Sequence, residues 1–176
     1  MRTLVVYTSK TGFTKTYAEW IAEDLGAEIV RTQDLSREQL ASADVVIHGG
    51  GLRASRIEGL RTFLRHWPLL KGKHVALWHT GANPGRPETV EGVWEQNLTP
   101  EQLERTTRFY LRGGFDFTRL RGVDRLVMSI MRFVLKRKKN PSADDRGMLA
   151  MYEHPTTELS RENTAPLVNH VRSLDA

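Results

Sequence analysis

Between Thr8 and Thr14 the chain reads TSKTGFT, directly after the apolar run TLVVY. Hydroxyls on Thr8, Ser9, Thr11 and Thr14 can each donate to an oxyanion. Gly12 lets the main chain bend closely around a ligand, and Lys10 and Lys15 add positive charge. The helical spacing that follows brings the unpaired N–H groups of a first helical turn to the same place. These features point to a phosphate. The alternative is a helix N-cap with Thr and Ser as bystanders. The spacing is neither GxxxxGK[ST] nor GxGxxG, which argues against ATP and NAD.

Two further loops carry unusual residues. HGGGLRAS (His48–Ser55) reads either as a tight strand-to-helix turn or as main chain approaching a flat ligand, with Leu52 and Arg53 covering it. HTGANPGRPE, from His79, offers main-chain groups to a ring edge through Gly81, Ala82 and Asn83. The histidines lack metal-ligand spacing, and no metal is expected. His48 and His79 read as satisfied core residues at adjacent strand ends. The absence of GxSxG gives no basis for a Ser–His–Asp triad. With no cysteine, disulfides and thiolate metal sites are excluded, which suits a reducing cytoplasm.

The elements that must hold these loops follow from apolar spacing. Thr3–Tyr7 reads as a buried strand. The stretch TKTYAEWIAEDLG is helical, with Gly26 as its stop. AEIVRT, SADVVIHGGG and KHVALWHTG supply further strands, and Thr107–Phe117 a fifth, ended or bulged by Gly113 and Gly114. Helices are expected over IEGLRTFLRHW, after Pro100, from about Leu120 to Lys136, and at the C-terminal TAPLVNHVRSL; NPSADDRG reads as a loop. Alternating strands and helices imply parallel βαβ units with right-handed crossovers. The expected fold is α/β: a doubly wound five-stranded parallel sheet with helices on both faces, in one domain over residues 1–176. In such a sheet ligands bind beyond the carboxyl ends of the strands, where all three unusual loops fall.

The chain's 176 residues carry a formal charge of +5. The excess is concentrated from Arg105 to Lys139, where eleven basic side chains face only Asp116 and Asp124. Within LRGVDRLVMSIMRFVLKRKK, apolar residues step by three and four with Arg121, Arg125, Arg132 and Lys136 between them. One reading is a surface helix packed on the sheet, ending in lysines that suit a helix C-terminus. The other is a helix that meets an anionic bilayer through residues 119–139. No recognition helix or aromatic-interleaved pattern supports nucleic acid as the partner. The N-terminus lacks the apolar stretch of a secretory signal, and no run approaches a membrane span. The expected location is the cytoplasm, at the inner face of the cell membrane.

The pattern [ST]-x-T-G-x-T after the first strand of such a sheet resembles that of the flavodoxins, and TSKTGFT matches it. The resemblance implies FMN. Thr8, Ser9, Lys10, Thr11, Gly12, Phe13 and Thr14 would hold its phosphate. Gly50, Gly51, Leu52 and Arg53, with Gly81, Ala82 and Asn83, would border the flavin ring. IHGGGLRASRIEGLRTFLRHW and YLRGGFDFTRLRGVDRLVMSIMRFVLKRKK are similar to segments of the quinone-dependent, flavodoxin-like protoporphyrinogen oxidases. That second resemblance implies oxidation of protoporphyrinogen IX to protoporphyrin IX in haem biosynthesis. It also implies a quinone acceptor and a basic amphipathic insertion around residues 118–140. Arg119, Arg121 and Arg125 would pair with porphyrin propionates, since guanidinium binds carboxylate bidentately. The chain departs from the flavodoxin pattern in lacking an aromatic residue in either ring loop and in lacking an acidic surface. Two other readings stay open: a flavodoxin-type electron carrier with no organic substrate of its own, and a domain that keeps the fold without the flavin.

Overall fold

The computed structural model describes every residue except Asn83, Arg121, His154, Pro155 and Ala176; for Phe115, Asp124, Ala143, Asp144 and Thr156 it describes the backbone only. Its centre is a parallel sheet of five strands: β1 (Thr3–Thr8), β2 (Glu28–Arg31), β3 (Val45–Arg53), β5 (His74–Gly81) and β6 (Thr107–Arg112), in the order β2-β1-β3-β5-β6. A two-residue strand, β4 (Arg56–Ile57), folds back antiparallel on the end of β3. Strands β1, β3 and β5 run in continuous register, Val5 opposite Ile47 and Ile47 opposite Ala76. The chain leaves β1 towards β2 on one side and reaches β3 on the other. That makes a topological switch point at the carboxyl ends of β1 and β3.

Successive strand residues face opposite sides of the sheet, and each side is buried. Val5, Val45, Ile47 and Trp78 pack with Tyr17, Ile21, Leu167 and Val168, which come from α1 (Phe13–Leu25) and α8 (Ala165–Ser173). Leu4, Val6, Val46 and Leu77 pack with Leu40, Leu60, Phe63 and Trp94 on the other side. Those come from α2 (Arg37–Ser42), α3 (Leu60–Phe63) and α4 (Pro87–Asn97). Gly26 closes α1 in the left-handed conformation, φ 58°, with its N–H bonded back to Ala22 and Glu23. Thr99 and Gln102 form a capping box at the start of α5 (Pro100–Glu104), with Pro100 in the first turn as the sequence predicts.

Several elements differ from the expectation. β3 does not turn at its glycines but runs straight through them to Arg53. The helix expected from Ile57 starts only at Leu60, and from Leu64 to Leu70 it tightens into a 3-10 helix around Pro68. α2 and α4 are additional; α2 is announced by a Ser36–Gln39 capping box. Of the two outcomes expected at Gly113 and Gly114, the fifth strand ends rather than bulges, stopping at Arg112. Gly114–Phe115 instead forms a short strand, β7, that pairs antiparallel with Thr156–Thr157, β8.

The segment between β7 and β8 thus leaves the sheet and returns at one place. It contains α6 (Gly122–Arg137) and, where NPSADDRG reads as a loop, the start of α7 (Ala143–Glu153). The two helices are joined by the Tyr152 hydroxyl donating to Met128 O (2.9 Å) and by a Lys138–Asp145 ion pair (2.5 Å). No described helix is long and apolar enough to cross a membrane.

Candidate functional site

The three loops singled out by sequence all emerge at the carboxyl edge of the sheet. The first is the stretch between β1 and α1. Gly12 stands at the N-cap with φ 96°, a left-handed conformation that favours glycine. Among the described residues no side chain caps α1, and its first turn holds no acid. The Gly12 N–H donates to Ser9 Oγ (3.2 Å), which closes the loop on itself. The positive end of a 13-residue helix is therefore left facing outwards. That is the fit expected of a phosphate site.

The hydroxyls of this loop divide into two sets. Thr8 donates inwards to Thr32 Oγ1 (2.8 Å), which in turn meets His48 Nε2 (3.2 Å). A Cβ at Gly59 would lie 1.9 Å from Thr8 Oγ1, so Gly59 closes over it. Thr14 is buried and shares a hydrogen bond with Thr80 Oγ1 (2.9 Å), tying the first loop to the end of β5. Thr8 and Thr14 thus hold the loop in shape from within, while Ser9 and Thr11 lie at its half-buried rim. Lys10 pairs with Glu58 (3.2 Å), which follows the second loop just after β4.

In the second loop, most of the room made by the glycines is filled by the protein. A Cβ at Gly49 would fall 1.9 Å from Trp78 Cε2, and one at Gly50 would fall 2.2 Å from Glu58 O. Trp78 is accordingly core, as its strand position predicts. Beyond Gly51 the chain makes a tight hairpin. Ala54 and Ser55 have φ 46° and 62°, and Arg53 pairs with Arg56. Two central residues at positive φ are the mark of a type I′ turn, normally built from Asn and Gly. Here the strain is held by Asn97 at the end of α4. Its Nδ2 donates to Ser55 O (2.7 Å), and its Oδ1 accepts from Ile57 N (3.1 Å). Neither Ala54 nor Ser55 signals such a turn in the sequence.

The third loop leaves β5 at Gly81 and passes Ala82; Asn83 lies outside the described residues. Tyr110 of β6 fixes this turn. Its hydroxyl donates to Gly81 O (2.9 Å), and its ring lies under Gly85, where a Cβ would come within 2.5 Å. Burial pushes the Tyr110 pKa up to about 12, so it stays a donor. Sequence reasoning missed Tyr110 because it falls in a strand rather than a loop. The same region holds His79, fully buried between Trp94 and Tyr110, with neither ring nitrogen partnered among the described residues. Among the described residues His48 keeps only its Thr32 bond, leaving Nδ1 unpartnered, and it stacks on Phe63. Burial pushes these pKa values down, to about 4 for His79 and about 3 for His48, so both rings are neutral. The expectation of satisfied core histidines thus holds for the core placement but only in part for the hydrogen bonding.

The arginines expected at a substrate take different positions. Arg119 lies against the first loop: Nη1 donates to Thr11 O (3.2 Å) and the guanidinium covers the Phe13 ring at 5.2 Å. Arg125 sits over Phe117 at 5.7 Å, and Arg121 lies outside the described residues. No cluster of His, Asp or Glu suited to a metal occurs among the described residues. Two shallow cavities, of about 200 and 280 Å³, lie away from all these loops. One is at the amino ends of β3, β5 and β6, and the other is between α1 and α8.

One family model, described as a flavodoxin domain, matches residues 4–143. The chain belongs to the flavodoxin family. Membership implies a flavin nucleotide, and the bare N-terminus of α1 fits its anionic tail. No curated protein sequence matches this flavodoxin-family chain. Among solved structures, a flavodoxin, WrbA-like protein from Agrobacterium tumefaciens shares 22% identity (TM-score 0.45), over 58% of this chain and 69% of that one. The Trp repressor binding protein from Bacillus subtilis shares 14% identity (TM-score 0.47), over 79% and 99%. The flavodoxin of Megasphaera elsdenii shares 23% identity (TM-score 0.43), over 61% and 82%. At this level the likeness is one of fold and says nothing of chemistry.

Proposed function

We propose that the chain binds FMN and works as an oxidoreductase at the cytoplasmic face of an anionic membrane, passing electrons from protoporphyrinogen IX to a quinone. The phosphate would rest on the first-turn amides of α1 and the Ser9–Thr11 rim. The ring would lie between the Leu52–Arg56 hairpin and the turn after Gly81. FMN, when bound, supplies the hydride and electron chemistry. The protein's part is to orient it. Asn97 fixes one flanking loop, Tyr110 the other, and the Thr14–Thr80 bond ties the second of these to the phosphate loop. No side chain is assigned as acid or base.

The observation that carries the membrane and quinone part is α6. Val123, Leu126, Ile130, Phe133 and Val134 are between 54% and 70% exposed. Such a stripe is costly in water and suits the headgroup–acyl boundary, where quinones partition. A freely diffusing electron carrier docks by charge, and neither this stripe nor a net charge of +5 resembles an acidic docking surface. The porphyrinogen rests on the resemblance of the segments around Gly49 and Gly114, with Arg125 and Arg121 as partners for propionates.

The deciding experiment is an anaerobic assay of FMN-loaded protein with protoporphyrinogen IX and menaquinone. Porphyrin fluorescence should rise only when the quinone is present. A protein that exchanges electrons with reductases yet leaves porphyrinogen untouched is a carrier. A preparation that gives no spectral change on titration with FMN has kept the fold alone.

A further inference from the structure

We infer that Arg119, reaching over from the basic segment, is a ligand of the flavin phosphate and sets the preference for FMN over phosphate-free riboflavin. This rests on the flavin reading of the first loop and deepens it. The guanidinium lies on the loop's rim, with Nη1 3.2 Å from Thr11 O and 3.5 Å from where a Cβ on Gly12 would stand. It is held from two further directions, by the Phe13 ring at 5.2 Å and by Asp116 Oδ2, 3.1 Å from Nε. Among the described residues Nη2 has no partner, so one edge of the planar fork stays available.

Charge gives the reason for an anion between these groups. The N-terminus of α1 carries a partial positive charge with neither a cap nor an acid in its first turn. A guanidinium beside it puts like sign next to like sign. Asp116 offsets this only in part, because its Oδ1 is engaged by the Thr118 N–H (2.9 Å) and Oγ1 (2.6 Å). Those Thr118 bonds, first its hydroxyl, hold the Asp116 carboxyl below its usual pKa, with Arg119 contributing less. Lys10, the loop's own cation, is paired with Glu58. A phosphate on the helix axis would accept from the bare amides below and from the guanidinium edge above, in the bidentate geometry that arginine favours and lysine lacks.

Titration of full-length protein with FMN and with riboflavin, followed by quenching of flavin fluorescence, tests this. Arg119→Gln should weaken FMN about 10- to 100-fold, the loss of a charge-assisted hydrogen bond, and leave riboflavin within about twofold. Arg119→Lys should recover part of the FMN affinity. A merely structural Arg119, clamping the basic segment to the loop, would lower both flavins together; that result, or an unchanged FMN affinity in Arg119→Gln, overturns the inference. Wild-type protein that takes up riboflavin and FMN equally well also overturns it while leaving the ring site standing. Uptake of neither refutes the flavin site itself, and Arg119's role with it.

Discussion

Helices α1 and α6 are built from the same apolar periodicity and meet opposite fates. In α1, Tyr17, Ala18 and Ile21 are completely buried against the sheet. In α6, Ile130 and Val134 remain 55% and 59% exposed, while the opposite side touches α7 through Met128 and Tyr152. Periodicity shows that a helix has an apolar face; what covers that face is decided by the rest of the chain. α1 directly follows a strand and is returned to the sheet by the next one. α6 lies in an excursion between β7 and β8, with no strand of its own to pack on.

The sharpest way to break this contrast is to truncate one residue of each helix. Ile21→Ala should cost about 2–5 kcal/mol, read from urea unfolding, since the cavity lies in a filled core. Ile130→Ala should stay within about 0.5 kcal/mol, as a surface change. Equal losses would mean that α6 is packed in solution and that its exposed stripe is covered.

Next comes pH. His48 and His79 are neutral in the fold, with pKa values near 3 and 4, against 6.5 in the unfolded chain. Below pH 6.5 the unfolded state binds more protons, so stability is full above that pH and falls as pH drops towards 4. Each histidine contributes a slope of about 1.4 kcal/mol per pH unit. Urea midpoints at pH 7, 6 and 5 check it, and a flat profile would mean that these rings are reached by solvent. The cations of α6 are Arg and Lys, so any binding through that helix should be insensitive over the same range.

Glycines separate the two regions as well. Gly49→Ala would force a methyl into the Trp78 ring between central strands and should cost about 3 kcal/mol. Gly147 in α7 has open space around it, so Gly147→Ala should gain about 0.5–1 kcal/mol of helix stability. Thermal unfolding followed by circular dichroism distinguishes a gain confined to the excursion from one shared by the whole fold.

What the sequence made legible follows the same division. The alternation of strands and helices, the α1 stop at Gly26 and the turn at Gly12 were readable because each depends on near neighbours in the chain. The purpose of Gly49 and Gly50 was not, because it lies in Trp78 and Glu58, brought close only by sheet pairing. Nor could the Ala54–Ser55 turn be read, since its support comes from Asn97. Tyr110, Thr32 and Arg119 reach the site loops across distances of 24 to 108 residues. α7 was hidden by its start, where Pro141 and the acidic Asp144–Asp145 pair read as a loop and in fact lead into a helix capped by Ser142, whose Oγ accepts from Asp145 N (3.1 Å).

The smallest effect on folding, and the most informative about α6, should come from the double substitution Ile130→Ser and Val134→Ser. Both side chains already face water, so stability should move by no more than about 0.5 kcal/mol. Against vesicles rich in anionic lipid the same change should be large. Each side chain loses much of an apolar burial worth about 1.5–3 kcal/mol, or roughly tenfold in partitioning. Charge should contribute separately. Arg132, Lys136 and Lys138 already pair with Glu153 or Asp145, which leaves Arg137 and Lys139 as the cations best placed for lipid headgroups, at about 1 kcal/mol each. Cosedimentation with vesicles should therefore weaken with salt and fall further in Arg137→Gln/Lys139→Gln. If the serine variant sediments like the wild type, α6 presents its apolar stripe to something other than a bilayer, and the quinone loses its route to the flavin loops.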